Sequence, residues 1–409
     1  MKRRYALDSS AAIYLASMNK KHTNVYRFSV MLKEKVNPEK LQEALDNVTP
    51  RFPVIVAGIK RGMFDYYVDP VEKAPRIQKD EERMAVMSKE RVETCAMRVL
   101  YREKQISVEI FHSITDGGGA MVFLGSLLAE YLRLCYSIQI PYSDRILNPK
   151  EAVKESEVKD DYITYAGGKG IPAKRHKAYQ LPNEKSGNDK NEALTRVYKA
   201  GDILKVSREY GVSMTVFLAA VMAQSLIEIK RKYPSSRNII QVMLPINLRS
   251  KFKSDSLQNF SLYAFMKLLP DSQDMSLEEM IRVFAGQMEK QSSAKHLQGM
   301  MTTNVKNQNW WFFKILPLPL KKLLVEVVHY IFGESNSCIT MTNMGRTVFP
   351  EECKPYVEDV ECIISPRRLT GYNCSIISYE ENVRITLSRY GKGCGLEDVF
   401  YEKLESLME

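Results

Sequence analysis

The segment Phe111-His112-Ser113-Ile114-Thr115-Asp116-Gly117-Gly118-Gly119 brings an imidazole, a carboxylate and a glycine run together. The chain has five histidines, and only His112 is followed at short spacing by an acidic residue and glycine. Composition alone would produce such a coincidence at a level on the order of one per cent. A neutral imidazole, with a pKa near ~6.5, can take a proton from a hydroxyl, amine or thiol at neutral pH. A base of this kind contributes about 10²–10⁴-fold in rate, or ~3–5 kcal/mol. Asp116 could orient His112, or fold away and brace the loop by pairing with an arginine. The glycines are expected to allow positive φ and a close approach of substrate. Two other readings compete. One is a core or loop histidine in a Gly-rich turn; the other is a phosphate-binding helix start. The second lacks both the Lys-Ser/Thr of a P-loop and the dinucleotide glycine spacing.

Something must hold that imidazole in place. Residues 105–111 alternate with period two and predict a strand that ends at His112. An apolar run over 120–132 predicts a helix after the glycines. Further strands are expected over 26–32, 53–59, 64–68 and 96–101, with a turn at Lys60-Arg61-Gly62. Asn37 followed by Pro38 reads as a capped helix start carrying Leu41, Ala44 and Leu45 on one face. Residues 143–195 are polar and weakly periodic, and read as a crossover linker. Beyond it, Ser213 and Thr215 open a helix that ends near Tyr233. Strands are expected over 239–244, 262–268, 338–342, 357–364, 373–379 and 383–389, and a last helix over 396–407. Both halves thus read as α/β, of the α+β type, with mainly antiparallel pairing, because helices are too few to cover every strand connection.

Bulk properties narrow the partners. At 409 residues the chain exceeds what one core usually supports, so two domains are expected. The net charge of +10 and pI near 9.0 allow nucleic acid, an anionic membrane surface or a polyanionic small molecule. No zinc-finger spacing, RNP-type motif or basic zipper is present, so no nucleic-acid partner is expected. Seven cysteines without a C-x-x-C pair read as reduced thiols in a cytoplasmic protein. The N-terminus turns polar at Asp8, too early for a signal peptide core. Charged residues and prolines interrupt the apolar stretch 310–332, which excludes a transmembrane helix and leaves a core helix or a weak membrane-surface contact.

The pattern His112-x-x-x-Asp116-Gly117 at a strand end resembles the active-site motif of the chloramphenicol acetyltransferase-like superfamily. That group includes condensation domains of peptide synthetases and microbial alcohol acetyltransferases. The likeness extends along nearly the whole chain. Asn24-Val25-Tyr26-Arg27 and Pro50-Arg51-Phe52-Pro53 look like the alcohol acetyltransferase group. Pro245-Ile246-Asn247-Leu248-Arg249 with Asn259-Phe260 resembles the Asn/Arg motif of the second domain. Thr342-Asn343-Met344-Gly345 resembles the Asn-x-Gly strand end near the cleft. The Asp-Phe-Gly motif of chloramphenicol acetyltransferases and plant enzymes is absent.

The resemblance implies two similar subdomains forming a V around an interdomain tunnel, over residues 1–165 and 196–409, with 166–195 as the crossover. It implies an acyltransferase in which acyl-CoA is the co-substrate and His112 the general base, with no metal, no bound cofactor and no covalent intermediate. It makes Asp116 mainly structural, with Arg249 as its candidate partner. Asn247 and Arg249 are candidate cleft supports. Thr342 or Asn343 is a candidate oxyanion donor or else a strand-end support. The acceptor is expected to be a small alcohol or amine. A carrier-protein-bound donor and a non-catalytic binding protein of the same fold remain the alternatives.

Overall fold

The protein is described here by a computed structural model covering residues 3–18, 24–81, 84, 86–171, 176–182, 190–308, 316–332, 334–366, 369 and 371–409. His22, the side chain of His329 and residues 309–315 of the apolar stretch lie outside the described residues.

The strand Gln105–Phe111 forms where the alternation predicts it. It pairs antiparallel with Val25–Leu32 on one side and Met97–Arg102 on the other. The sheet's order is Val357–Ile364, Val25–Leu32, Gln105–Phe111, Met97–Arg102, Gln78–Lys79. Its outermost strand, Val357–Ile364, therefore comes from late in the chain. That strand also takes side-chain bonds from the second large sheet. Ser375 Oγ donates to Cys362 O at 2.7 Å, and Arg384 Nε to Asp359 Oδ2 at 2.7 Å.

The second sheet runs Ser261–Leu268, Ile240–Asn247, Ile339–Thr347, Tyr372–Tyr379, Asn382–Tyr390, Asn191–Lys199. Pairing is antiparallel except on both sides of Ile339–Thr347. The ladder between this strand and Ile240–Asn247 extends only to Thr340↔Met243, so Pro245, which lacks an N–H, costs that ladder no bond. A small sheet, Tyr5–Ala6, Tyr66–Pro70, Ala57–Arg61, completes the strands described.

Two apolar cores follow from these sheets. The first buries Leu41, Ala44 and Leu45 of the helix Pro38–Val48 against Phe123, Leu127 and Leu128 of the helix Gly117–Tyr136. Asn37 Oδ1 caps the former by accepting from Lys40 N at 3.1 Å. The second packs the helices Met214–Lys232, Leu277–Gln291 and Leu396–Ser406 on the six-stranded sheet. The fold is thus mixed α/β with mainly antiparallel sheets.

Three local expectations need correction. Residues 53–56 form a buried turn rather than a strand, with Ile55 N and Val56 N donating to Phe52 O, and the strand starts at Ala57. An apolar run fits a buried turn as well as a strand, and Pro53 cannot donate to a ladder. The helix after the glycines begins at Gly117, not Ala120, because Asp116 caps it. The strand Asn191–Lys199 occupies the end of the stretch expected as a linker. It is an edge strand with no clean buried face, which removes the alternation that would have announced it.

The helix Leu318–Phe332 is not a core helix over its first turns: Leu320, Leu323 and Leu324 are 54%, 58% and 37% exposed. Its start joins the hairpin tip, where Leu318 N donates to Met63 O and Lys321 pairs with Asp65 at 2.6 Å.

Candidate active site

His112 is the first residue past the Gln105–Phe111 strand, and its N–H donates to Asn24 O at 3.0 Å, one more rung beyond the ladder. The ring is half-buried between two tyrosines. Tyr14 stacks on it at a 4.2 Å centroid distance and 10°, and Tyr26 meets it edge-on at 5.0 Å. Tyr26 is fixed in turn by its hydroxyl, which donates to Thr115 O at 2.8 Å. Nδ1 lies 3.1 Å from Asn259 Oδ1. An amide oxygen only accepts, so Nδ1 carries the proton and Nε2 keeps its lone pair. Among the described residues Nε2 has no hydrogen-bond partner.

Burial pushes the imidazole below its ordinary value, while Asp116 and Asn259 pull it the other way. The net result is a neutral ring at pH 7, the form a general base requires.

Asp116 does not touch that ring. Its Oδ1 accepts from Gly118 N at 3.0 Å and Gly119 N at 3.2 Å, and its Oδ2 from Arg249 Nη1 at 2.9 Å and Phe260 N at 2.7 Å. Burial raises this carboxyl, and the Arg249 pair and amide donors outweigh it, leaving the group below its ordinary range. The carboxylate also occupies the helix-start amides that a phosphate would need.

None of Gly117, Gly118 and Gly119 has positive φ, so the expected conformational reason for the run is replaced by a steric one. A Cβ on Gly118 would sit 2.7 Å from Arg249 Nη1, and one on Gly119 only 2.5 Å from Leu257 O. The second half of the chain presses directly on the glycine backbone.

Arg249 spends its other nitrogens on its own loop, with Nε donating to Ser256 O at 2.9 Å and Nη2 to Gln258 O at 2.6 Å. Asn247 Oδ1 accepts from Arg249 N at 3.0 Å, which sets the turn out of the strand. Both residues therefore shape the loop that delivers Asn259. Asn343 uses both ends of its amide, donating to Thr215 Oγ1 at 2.9 Å and accepting from Gly345 N at 2.8 Å. Thr342 lies half-buried on the same strand, Ile339–Thr347. Met344 reaches the helix start, where a Cβ on Gly117 would meet its Cε at 2.6 Å.

Sequence reasoning did not find Tyr14 or Asp8. Tyr14 arrives on the helix Ala11–Ser17, and Asp8 Oδ2 accepts from Asn259 Nδ2 at 2.7 Å. The polar run Asp8-Ser9-Ser10 before an apolar segment is a helix-start signal. It says nothing of what that helix packs on.

No family model matches the sequence, and no curated protein matches it. Solved structures do. TRI101 of F. sporotrichioides, in complex with coenzyme A and T-2, matches with TM-score 0.64 at 10% identity, over 99% of this chain and 97% of that one. The TRI3 trichothecene 15-O-acetyltransferase from Fusarium sporotrichioides matches with TM-score 0.62 at 10% identity, over 99% and 95%. The first condensation domain of the CDA synthetase matches with TM-score 0.62 at 13% identity, over 100% and 96%. The chain has the mixed α/β fold that these acetyltransferases and this condensation domain share.

Proposed function

We propose that the protein is an acyl-CoA-dependent acyltransferase that transfers an acyl group, acetyl or longer, to a small alcohol, with His112 as general base. The observation that carries this reading is the His112 ring itself: neutral, clamped between tyrosines, with Nδ1 held by Asn259 and the Nε2 lone pair uncommitted. In this mechanism Nε2 takes the acceptor's hydroxyl proton as the oxygen attacks the thioester carbonyl. The tetrahedral intermediate collapses with cleavage of the C–S bond, and the imidazolium returns its proton to the departing CoA sulfur. An acyl-cysteine route has little support, since no cysteine lies in a comparable motif and burial raises the thiols of Cys95, Cys135, Cys353, Cys362, Cys374 and Cys394 above their ordinary values.

Asp116 and Arg249 hold the loop, and Asn247 sets the turn that carries it. Thr342 or Asn343 supplies the oxyanion donor, the Asn343 amide giving one N–H to Thr215 and keeping a second. The coenzyme A in the TRI101 complex supports the choice of donor. The CDA condensation domain keeps an acyl carrier protein in view as the alternative donor, and an amine as the alternative acceptor.

The test is thiol release from acetyl-CoA with a panel of alcohols and amines, wild type against His112→Ala. A loss of about 10²-fold or more is expected. Activity within a few-fold of wild type would overturn the mechanism, and activity only with carrier-loaded thioester would reassign the donor.

The exposed Leu320, Leu323 and Leu324 favour a weak membrane-surface contact as a second property. Co-sedimentation with anionic and neutral vesicles decides it; recovery in the supernatant with both removes it.

A further inference from the structure

Asp8 is 4% exposed, is remote from His112 along the chain, and takes no part in the mechanism above. Its two oxygens face different partners. Oδ1 accepts from Ser10 N at 2.8 Å and from Ser10 Oγ at 2.6 Å; Oδ2 accepts from Asn259 Nδ2 at 2.7 Å. Asn259 is itself 1% exposed, and its Oδ1 faces His112 Nδ1 at 3.1 Å. An amide offers one acceptor end and one donor end, so whichever end faces Asp8 fixes the other.

We propose that Asp8 is a positioning residue for His112: through Asn259 it selects the imidazole tautomer that leaves Nε2 free to act as a base. This inference rests on the acyltransferase reading only for its catalytic consequence. An ionised Asp8 can only accept, so it holds the Asn259 amino group toward itself and the amide oxygen toward Nδ1. The proton then sits on Nδ1. If Oδ2 becomes a donor, the amide turns over, its amino group faces Nδ1, and the ring must carry its proton on Nε2, where it cannot take one from an acceptor.

The backbone makes this inversion predictable. Ser10 N–H is a fixed donor to Oδ1. Asp8→Asn must therefore keep its oxygen on Ser10 and turn its amino group on Asn259. Protonation does the same, because the carboxyl proton is driven to Oδ2. The titratable groups facing Asp8 are Asp160, whose charge opposes ionisation, and the phenols of Tyr14 and Tyr162. Burial first, and Asp160 with it, push Asp8 up to about 7 against the bonds from Asn259 and Ser10. Burial holds His112 below its ordinary value. The ring is therefore still neutral as Asp8 takes up its proton, yet is held in the wrong tautomer, so activity lost near pH 7 on acidification reports Asp8.

The experiment is two-bond ¹H–¹⁵N correlation on the ¹⁵N-labelled full chain, with His112→Ala assigning the resonance, alongside kcat and KM against pH. Wild type at pH 8 should show the Nδ1–H tautomer. Asp8→Asn should shift it to Nε2–H and lower kcat by at least about 10-fold with KM little changed. Its profile should lose the step near 7. Asp8→Asn combined with Asn259→Asp should restore Nδ1–H, because the new carboxylate accepts from both sides. A thermal melt checks that each variant folds. An unchanged tautomer in folded Asp8→Asn, or failure of the double variant to restore it, would overturn the proposal. Full activity in His112→Ala would instead overturn the role of His112 as general base, and the tautomer measurement would still decide this one.

Discussion

Asp116 and Arg249, from opposite halves of the chain, meet at 2.9 Å beneath the glycine run, and the same carboxylate takes the amides of Gly118, Gly119 and Phe260. Losing it leaves a guanidinium and three amides short of a partner. Asp116→Asn is expected to cost about 3 kcal/mol, at the lower end for a broken buried pair because Arg249 keeps some solvent contact. Denaturant melts read this. The folded-state pKa lies below the ordinary 3.8. The stabilisation is therefore fully present above that value and lost as pH falls through the lower folded one. The gap between wild type and Asp116→Asn should stay constant above about pH 5 and close in stronger acid.

Gly119→Ala should be worse than its size suggests. Its Cβ would fall 2.2 Å from Thr115 Oγ1 and 2.5 Å from Leu257 O, and Thr115 Oγ1 already donates to that carbonyl at 2.6 Å. Backbone cannot swing aside, so a loss of about 1–3 kcal/mol is expected, the usual cost of overpacking. A melting temperature equal to wild type would show that the loop tolerates a gap the packing does not contain.

Those contacts explain which parts of the site could be read from the sequence. His112, Asp116 and the glycines announce themselves because they are neighbours in the chain and end an alternating strand. The partnership of Asp116 with Arg249 followed from an Asn/Arg motif that resembles a known group. Asp8 and Tyr14 could not be found this way. Both lie about a hundred residues before His112. Tyr14 stacks on it from a short helix, and Asp8, just ahead of that helix, reaches it through Asn259, and neither local pattern carries a trace of its neighbour. The strand Val357–Ile364 was found from its composition, yet nothing local says that it crosses to pair with Val25–Leu32. Alternation gives a strand its faces, not its partner.

Arg51 belongs to the same class of hidden partnership. It is 1% exposed and forms two bonds of 2.7 Å to Glu157, whose carbonyl accepts from Leu257 N at 2.8 Å. The pair thus braces the loop that carries Asn259. Glu157→Gln should cost about 3–5 kcal/mol by stranding a buried guanidinium. Arg51→Met with Glu157→Leu should recover much of that, since an apolar pair of similar volume is often tolerated. A double variant as unstable as the single one would mean the charges are needed for themselves.

Tyr14 covers one face of the His112 ring at 4.2 Å, and burial is the main cause holding that imidazole below 6.5. Tyr14→Phe keeps the covering ring and should leave the titration of His112 where it is. Tyr14→Ala opens the face to water. The charged form is then better solvated while Asp116 still favours it, so the pKa must rise toward or past its ordinary value. The stacking itself is worth about 0.5–1.5 kcal/mol, too little to unfold the chain. An NMR titration of His112 should therefore move upward in Tyr14→Ala alone. Equal shifts in both variants would mean that the phenol's hydroxyl governs the proton on His112, and a downward shift in Tyr14→Ala would mean that the stacked ring favours the charged imidazolium rather than desolvating it.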